Sequence, residues 1–173
     1  MEYKGPTMML RSRPALRAVM QAWLVSGTFD ISSALVYYGI RYGIPPDLIL
    51  KNIASGVFGE AAFRGGTPAI AAGLLFHYFI ALVWAAVFFI AYPRIALLRK
   101  NVFTVAGVYG VIVWAVMNLV VVPLSRVETS PMHLEGALIA AAFLVLFIGV
   151  PDRIIIGRYF QNTSEAGKGF GGK

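Results

Sequence analysis

The chain contains no cysteine, so disulfides, thiolate metal sites, iron–sulfur clusters and thiol catalysis are all excluded. Acid is scarce: eight Asp and Glu stand in 173 residues, against fifteen Lys and Arg. Histidine is scarcer still, with only His77 and His133. Charged residues make up 13% of the chain, about half the share of an ordinary soluble domain. So few charges cannot cover the outside of a soluble fold of this length. Motifs of soluble enzymes are missing too. There is no phosphate loop, no G-x-G-x-x-G after a strand and no G-x-S-x-G elbow. Lipidation signals are absent.

What the chain has instead is apolar residues, at 58%, and a mean hydropathy of +0.73. These put it among integral membrane proteins. The net charge of +7 would suggest nucleic acid in a soluble protein. Here the cations lie between apolar runs, which is the signature of membrane topology, and no nucleic-acid partner is expected.

Four runs approach the ~20 residues that a helical span requires. They are Ala18–Ile40, Thr67–Tyr92, Val102–Leu124 and Leu134–Ile156. The fourth is the least clean, with Glu135 near one end and Asp152-Arg153 near the other, so that either the span tilts little or Arg153 snorkels to the headgroups. The first follows Arg11, Arg13 and Arg17 like a signal sequence, but its run is too long, contains Asp30 and ends without an A-x-A site. It reads as an uncleaved anchor. If the N-terminus is cytoplasmic, eleven of the fifteen Lys and Arg fall on the cytoplasmic side. The positive-inside rule then puts both termini in the cytoplasm of a bacterial inner membrane. Residues 161–173 read as a disordered polar tail, and the first ten residues as loose.

The connection between the first two runs is unusually apolar. Pro45-Pro46-Asp47 is a helix start, apolar residues recur at Ile49, Ile53, Val57 and Ala61, and Gly65-Gly66 is a stop. This predicts an amphipathic helix over about 46–63, lying at the interface or folded back over the bundle, with Lys51, Asn52, Ser55 and Glu60 on its polar face. The expected fold is therefore an all-α membrane protein: residues 1–160 form one domain of four transmembrane helices, with an additional interfacial helix between helices 1 and 2.

Polar residues inside the runs carry the most information, because burying them is costly. At ~1.5 Å per residue, Asp30 and His77 each lie about 15 Å from the outer end, and Asn118 about 9 Å. Glu135 and His133 stand at the outer mouth of the fourth run, and Glu60 on the connecting helix above. Asp30, His77, Asn118, Glu135 and Glu60 could thus share one cavity. Such a cluster reads first as interhelical hydrogen-bond glue, next as a proton or ion site, and last as a ligand set for a divalent metal or haem through His77. No H-E-x-x-H and no second histidine one turn away favours the last, so no cofactor is predicted. Small residues at Ala22, Ser26, Ser33 and Ala34, at Ala69 and Gly73, and at Gly107 and Gly110 suit close helix approach. Trp23, Tyr37, Tyr38, Tyr42, Tyr92 and Tyr159 suit an aromatic belt.

Three stretches carry a family resemblance: IASGVFGEAAFRGG at Ile53–Gly66, HYFIALVWAAVFF at His77–Phe89 and YGVIVWAVMNLVVVPLS at Tyr109–Ser125. Together with FDI around Asp30, they resemble a family of small, uncharacterised bacterial inner-membrane proteins with four predicted helices. The likeness covers residues 20 to 155. It implies membrane class and helix count, assigns no activity, and matches Asp30, Gly56, Gly65, Gly66, His77, Asn118 and Pro123. Relatives carry a further histidine in the last helix before a G-x-P turn. Here Gly149 and Pro151 match the turn, but no histidine precedes them, which argues against a two-histidine metal site.

The leading functional expectation is a non-enzymatic accessory or structural membrane protein. A small transporter or proton-coupled unit using the Asp/His/Asn cluster is the alternative, and a haem- or metal-binding redox subunit the second. The partner expected throughout is the lipid bilayer; a homo-oligomer or docking to a larger membrane complex suits so small a bundle.

Overall fold

A computed structural model describes residues 13–128 and 133–169, and among these the structure is helical with no strand. The expectation of a loose N-terminus falls outside the described residues. Helix α1 runs Arg13–Tyr42, α2 Pro46–Phe58, α3 Ala61–Arg64 and α4 Gly66–Ala91. A 3₁₀ turn at Ala96–Arg99 leads to α5, Val102–Val116, which passes through a π turn at Met117–Val121 into α6, Val122–Leu124. Helix α7, Leu134–Leu144, passes through a second π turn at Val145–Gly149 into α8, Val150–Gly169. Four helices are long and apolar enough to cross a membrane: Arg13–Tyr42, Gly66–Ala91, Val102–Leu124 and Leu134–Glu165. They fall on the four apolar runs.

The last helix departs from the sequence reading. It continues to Gly169, through residues read as a disordered tail. Phe160 explains the first turn of the extension, stacking on Tyr92 and packing against Phe89. Thr163 and Ser164 then turn their hydroxyls onto the helix's own carbonyls at Tyr159 and Gln161.

The two ends of the bundle differ in packing. One end, which carries Arg13, the Tyr92–Asn101 connection and α8, holds the core. Phe88, Phe89, Val105, Val113 and Ile156 are sealed there against Ala15, Ala18 and Ala22 of α1. Small side chains on α1 let large ones from α4 fill the space, the usual way to bring helices together where lipid removes the hydrophobic drive. The third and fourth long helices approach more closely still. A Cβ at Gly149 would lie 2.6 Å from the Ala106 carbonyl oxygen, and one at Gly110 would lie 2.5 Å from Val145 Cα. Gly107, expected to act with Gly110, has open space around it. At the other end neither α7 nor the Met117–Val121 turn buries a residue. The bundle is packed at one end and open at the other.

Helix α2 occupies the open end. It folds back along α4, where its Leu50 backbone rests directly on Gly73, and a Cβ at Gly73 would overlap the Leu50 carbonyl. Its far end is tied to the connection after α6, with the Arg126 N–H donating to the Gly56 carbonyl at 3.0 Å. The buried stripe is Leu50, Ala54 and Ser55. Ser55 was expected on the polar face; it is inside because its hydroxyl is satisfied locally by the Asn52 carbonyl at 2.7 Å. The expected single helix over 46–63 breaks at Gly59, whose φ of +60° ends α2 and starts the short α3.

Candidate functional site

Asp30 of α1 and His77 of α4 line one cavity of about 530 Å³ at the open end. Its third wall is α2, through Leu48, Ile49, Asn52 and Ile53. The pairing follows from how α1 and α4 meet. Gly27 of α1 sits against Ala81 and Tyr78, where a Cβ would meet Ala81 Cβ at 3.1 Å and the Tyr78 ring at 3.2 Å and have to push them back. That closeness brings the His77 ring to the Gly27 carbonyl, with Nε2 at 2.8 Å. A carbonyl only accepts, so Nε2 carries the hydrogen and donates. The other nitrogen, Nδ1, is the one left for a proton or ion. Asp30 lies three residues beyond Gly27, less than one turn, and so on the same side of α1. Two neighbouring bonds fix the crossing: Trp23 Nε1 donates to the Tyr78 carbonyl at 2.6 Å, and the Thr28 and Tyr78 hydroxyls bond at 2.9 Å. Trp23 is thus an interhelical donor, whereas the sequence placed it in a boundary belt.

The remaining expected members do not join this pair. Asn118 lies in the first π turn and donates to the Trp114 carbonyl of its own helix at 2.9 Å. The third long helix packs on the fourth, which keeps Asn118 away from α1 and α4. Glu60 is exposed beside Arg64, at 3.6 Å in an equally exposed pair. Glu135 is exposed in the first turn of α7, and His133 is exposed just before it. The five-residue cluster therefore reduces to Asp30 and His77. Asn52 is added from α2, on the polar face that the helical pattern marked. Among the described residues no three of His, Asp or Glu converge as a metal site.

Sequence reasoning missed a second polar group. Asp152 of α8 is fully buried, and among the described residues neither carboxyl oxygen has a hydrogen-bond partner. Ser26 of α1 lies across from it, its own hydroxyl donating to the Ala22 carbonyl at 2.7 Å. Arg153 is next in sequence but projects elsewhere, since consecutive helical residues do not share a face. Its guanidinium donates to the Lys100 carbonyl at 2.9 Å and lies 5.5 Å from the Tyr92 ring centre. It is 7% exposed, so it is held by the connection after α4 and does not snorkel to the surface. Ala22, Ser26 and Asp30 follow one another at i, i+4 along a single stripe of α1. That stripe runs from the level of Asp152 to the Asp30–His77 cavity. The sequence signal for Asp152 was present, an acid near the end of an apolar run, but it was read as a boundary marker.

Outside the described acid pairs, Asp47 at the start of α2 accepts from Lys51 at 2.9 Å, and this hydrogen bond holds its carboxyl below the usual carboxylate range. No family model matches this chain, and no curated protein or solved structure matches it.

Proposed function

We propose that the protein is a small non-enzymatic membrane protein that takes up a proton or small cation at the Asp30–His77 cavity, as an ion-coupled binding or permeation unit. The observation that supports this most is the meeting of an acid and an imidazole from two long helices in one cavity of about 530 Å³, walled by a third element. Ionisable groups among membrane helices are costly and gather at ion and proton routes. The four long helices cross a bacterial inner membrane in this reading, with the arginine-rich end in the cytoplasm. The cavity then opens toward the opposite side.

The His77–Gly27 hydrogen bond favours a second reading, in which the pair is interhelical glue in an accessory protein. Purified protein in liposomes under a pH gradient separates the two. Under the ion-coupled reading, proton flux exceeds that of empty liposomes. Asp30→Asn then lowers it at least about tenfold, the scale expected when a transferring acid is lost, while the detergent-extracted variant melts as the parent does. A flux equal to that of empty liposomes, together with a lowered melting point for Asp30→Asn and His77→Gln, would return the protein to the accessory class.

A further inference from the structure

Three arginines converge at the packed end, and among the described residues none of them pairs with a carboxylate. Arg13 and Arg17 stand one turn apart on α1, and Arg158 faces them from α8 across a groove of about 590 Å³. Among the described residues no carboxylate lines the groove. Among the described residues, none of the three forms a salt bridge or a side-chain hydrogen bond. Among the described residues some other cations are committed, whereas Arg41, Lys100 and Arg126 likewise form no salt bridge or side-chain hydrogen bond. Lys51 and Arg64 pair with acids, and Arg94, Arg99 and Arg153 donate to backbone carbonyls. Like charges that face one groove repel one another, and an anion among them removes that repulsion. Guanidinium groups match phosphate oxygens in a two-pronged geometry, and Gln21 and Asn162 add uncharged amide groups to the same groove.

The groove is not a purely polar basin. Ala18 and Ile155 form its apolar part. On the outer face of α1 the arginines give way to Leu16, Met20 and Leu24, all exposed. Arg17, Met20 and Leu24 recur at helical spacing and form one continuous track from charge into hydrocarbon. A free phosphate would use the arginines and leave that track empty. A phospholipid uses both.

We infer that this groove binds the phosphate-bearing headgroup of an acidic phospholipid, with an acyl chain laid along Met20 and Leu24. The site is separate from the Asp30–His77 cavity and does not depend on the function proposed for it. Basic pockets between membrane helices suit such headgroups.

The test is native mass spectrometry of the full chain, released from mixed vesicles of phosphatidylglycerol and phosphatidylcholine. The expected result is one phosphatidylglycerol retained per chain in preference to phosphatidylcholine. Retention should fall about fivefold for each guanidinium removed, the equivalent of the attraction one basic side chain contributes near a membrane. Arg158→Gln alone is exposed and safe for folding, so it decides the matter if the triple variant with Arg13→Gln and Arg17→Gln does not fold. Arg94→Gln, at the same end but outside the groove, should leave retention unchanged. Equal retention of the two lipids, or a preference that survives Arg158→Gln, would overturn the inference. So would one inorganic phosphate per chain that displaces the lipid and is lost in Arg158→Gln, which would give the site to free phosphate.

Discussion

At the scale of single residues, Asp152 is the group most at odds with its surroundings. A buried carboxyl without a partner costs free energy, and an apolar side chain of similar volume removes that cost. Asp152→Val should therefore raise the thermal midpoint of the detergent-extracted protein, by an amount equivalent to about 1–3 kcal/mol. A fall of the same size would reveal a bond to Asp152 that the structure lacks. Asp30 and His77 were legible in the sequence because each interrupts a long apolar run far from its ends. That they share a cavity was expected from their equal depth; the contact of His77 with the Gly27 carbonyl was not legible, since it depends on how closely Gly27 admits α4. Asn118 looked equivalent by depth and failed by direction: depth along a helix follows from counting, but the face it presents depends on which neighbour the helix chooses. Asp152 was hidden for a related reason. The sequence placed the fourth span's end at Ile156, whereas the helix runs on well beyond it.

At the scale of elements, α2 shows how much one glycine decides. The sequence pattern predicted a helix between the first two spans and its starting prolines, and left open whether it lies on the interface or folds back. Gly73 settles the placement by offering a surface without a side chain, onto which the Leu50 backbone fits. Gly73→Ala should push α2 off α4 at a cost of about 1–3 kcal/mol, the usual penalty for overpacking. The expected readout is a lower thermal midpoint together with faster proteolysis within residues 46–58. An unchanged rate of cleavage would mean that α2 is held by the Gly56–Arg126 bond alone. The π turns were illegible, because one extra residue in a turn leaves no mark on an apolar run. They explain how the fourth helix keeps Gly149 against Ala106 while α7 departs from the core.

At the scale of the whole molecule, the four helices were plain from apolar length, and the asymmetry between the two ends was not. Apolar runs look alike whether they face lipid or one another, so the sealed core at one end and the Asp30–His77 cavity at the other emerge only from packing. The orientation that eleven of fifteen cations imply is directly measurable, since the chain has no cysteine to interfere. Single cysteines at Asn101 and Asn162 should react with an impermeant maleimide only after the membrane is opened from the cytoplasmic side. Single cysteines at Arg64 and Glu128 should react in intact cells. The reverse pattern would invert the proposed topology. The seat of α2 on Gly73 also sets an order of events during synthesis. Residues 46–58 leave the ribosome before the helix that receives them exists. This segment must wait at the bilayer surface, shielded by its own amphipathicity, until Gly66–Ala91 has entered the membrane. Only then does the cavity acquire its third wall, so it is the last part of the first half of the chain to be born.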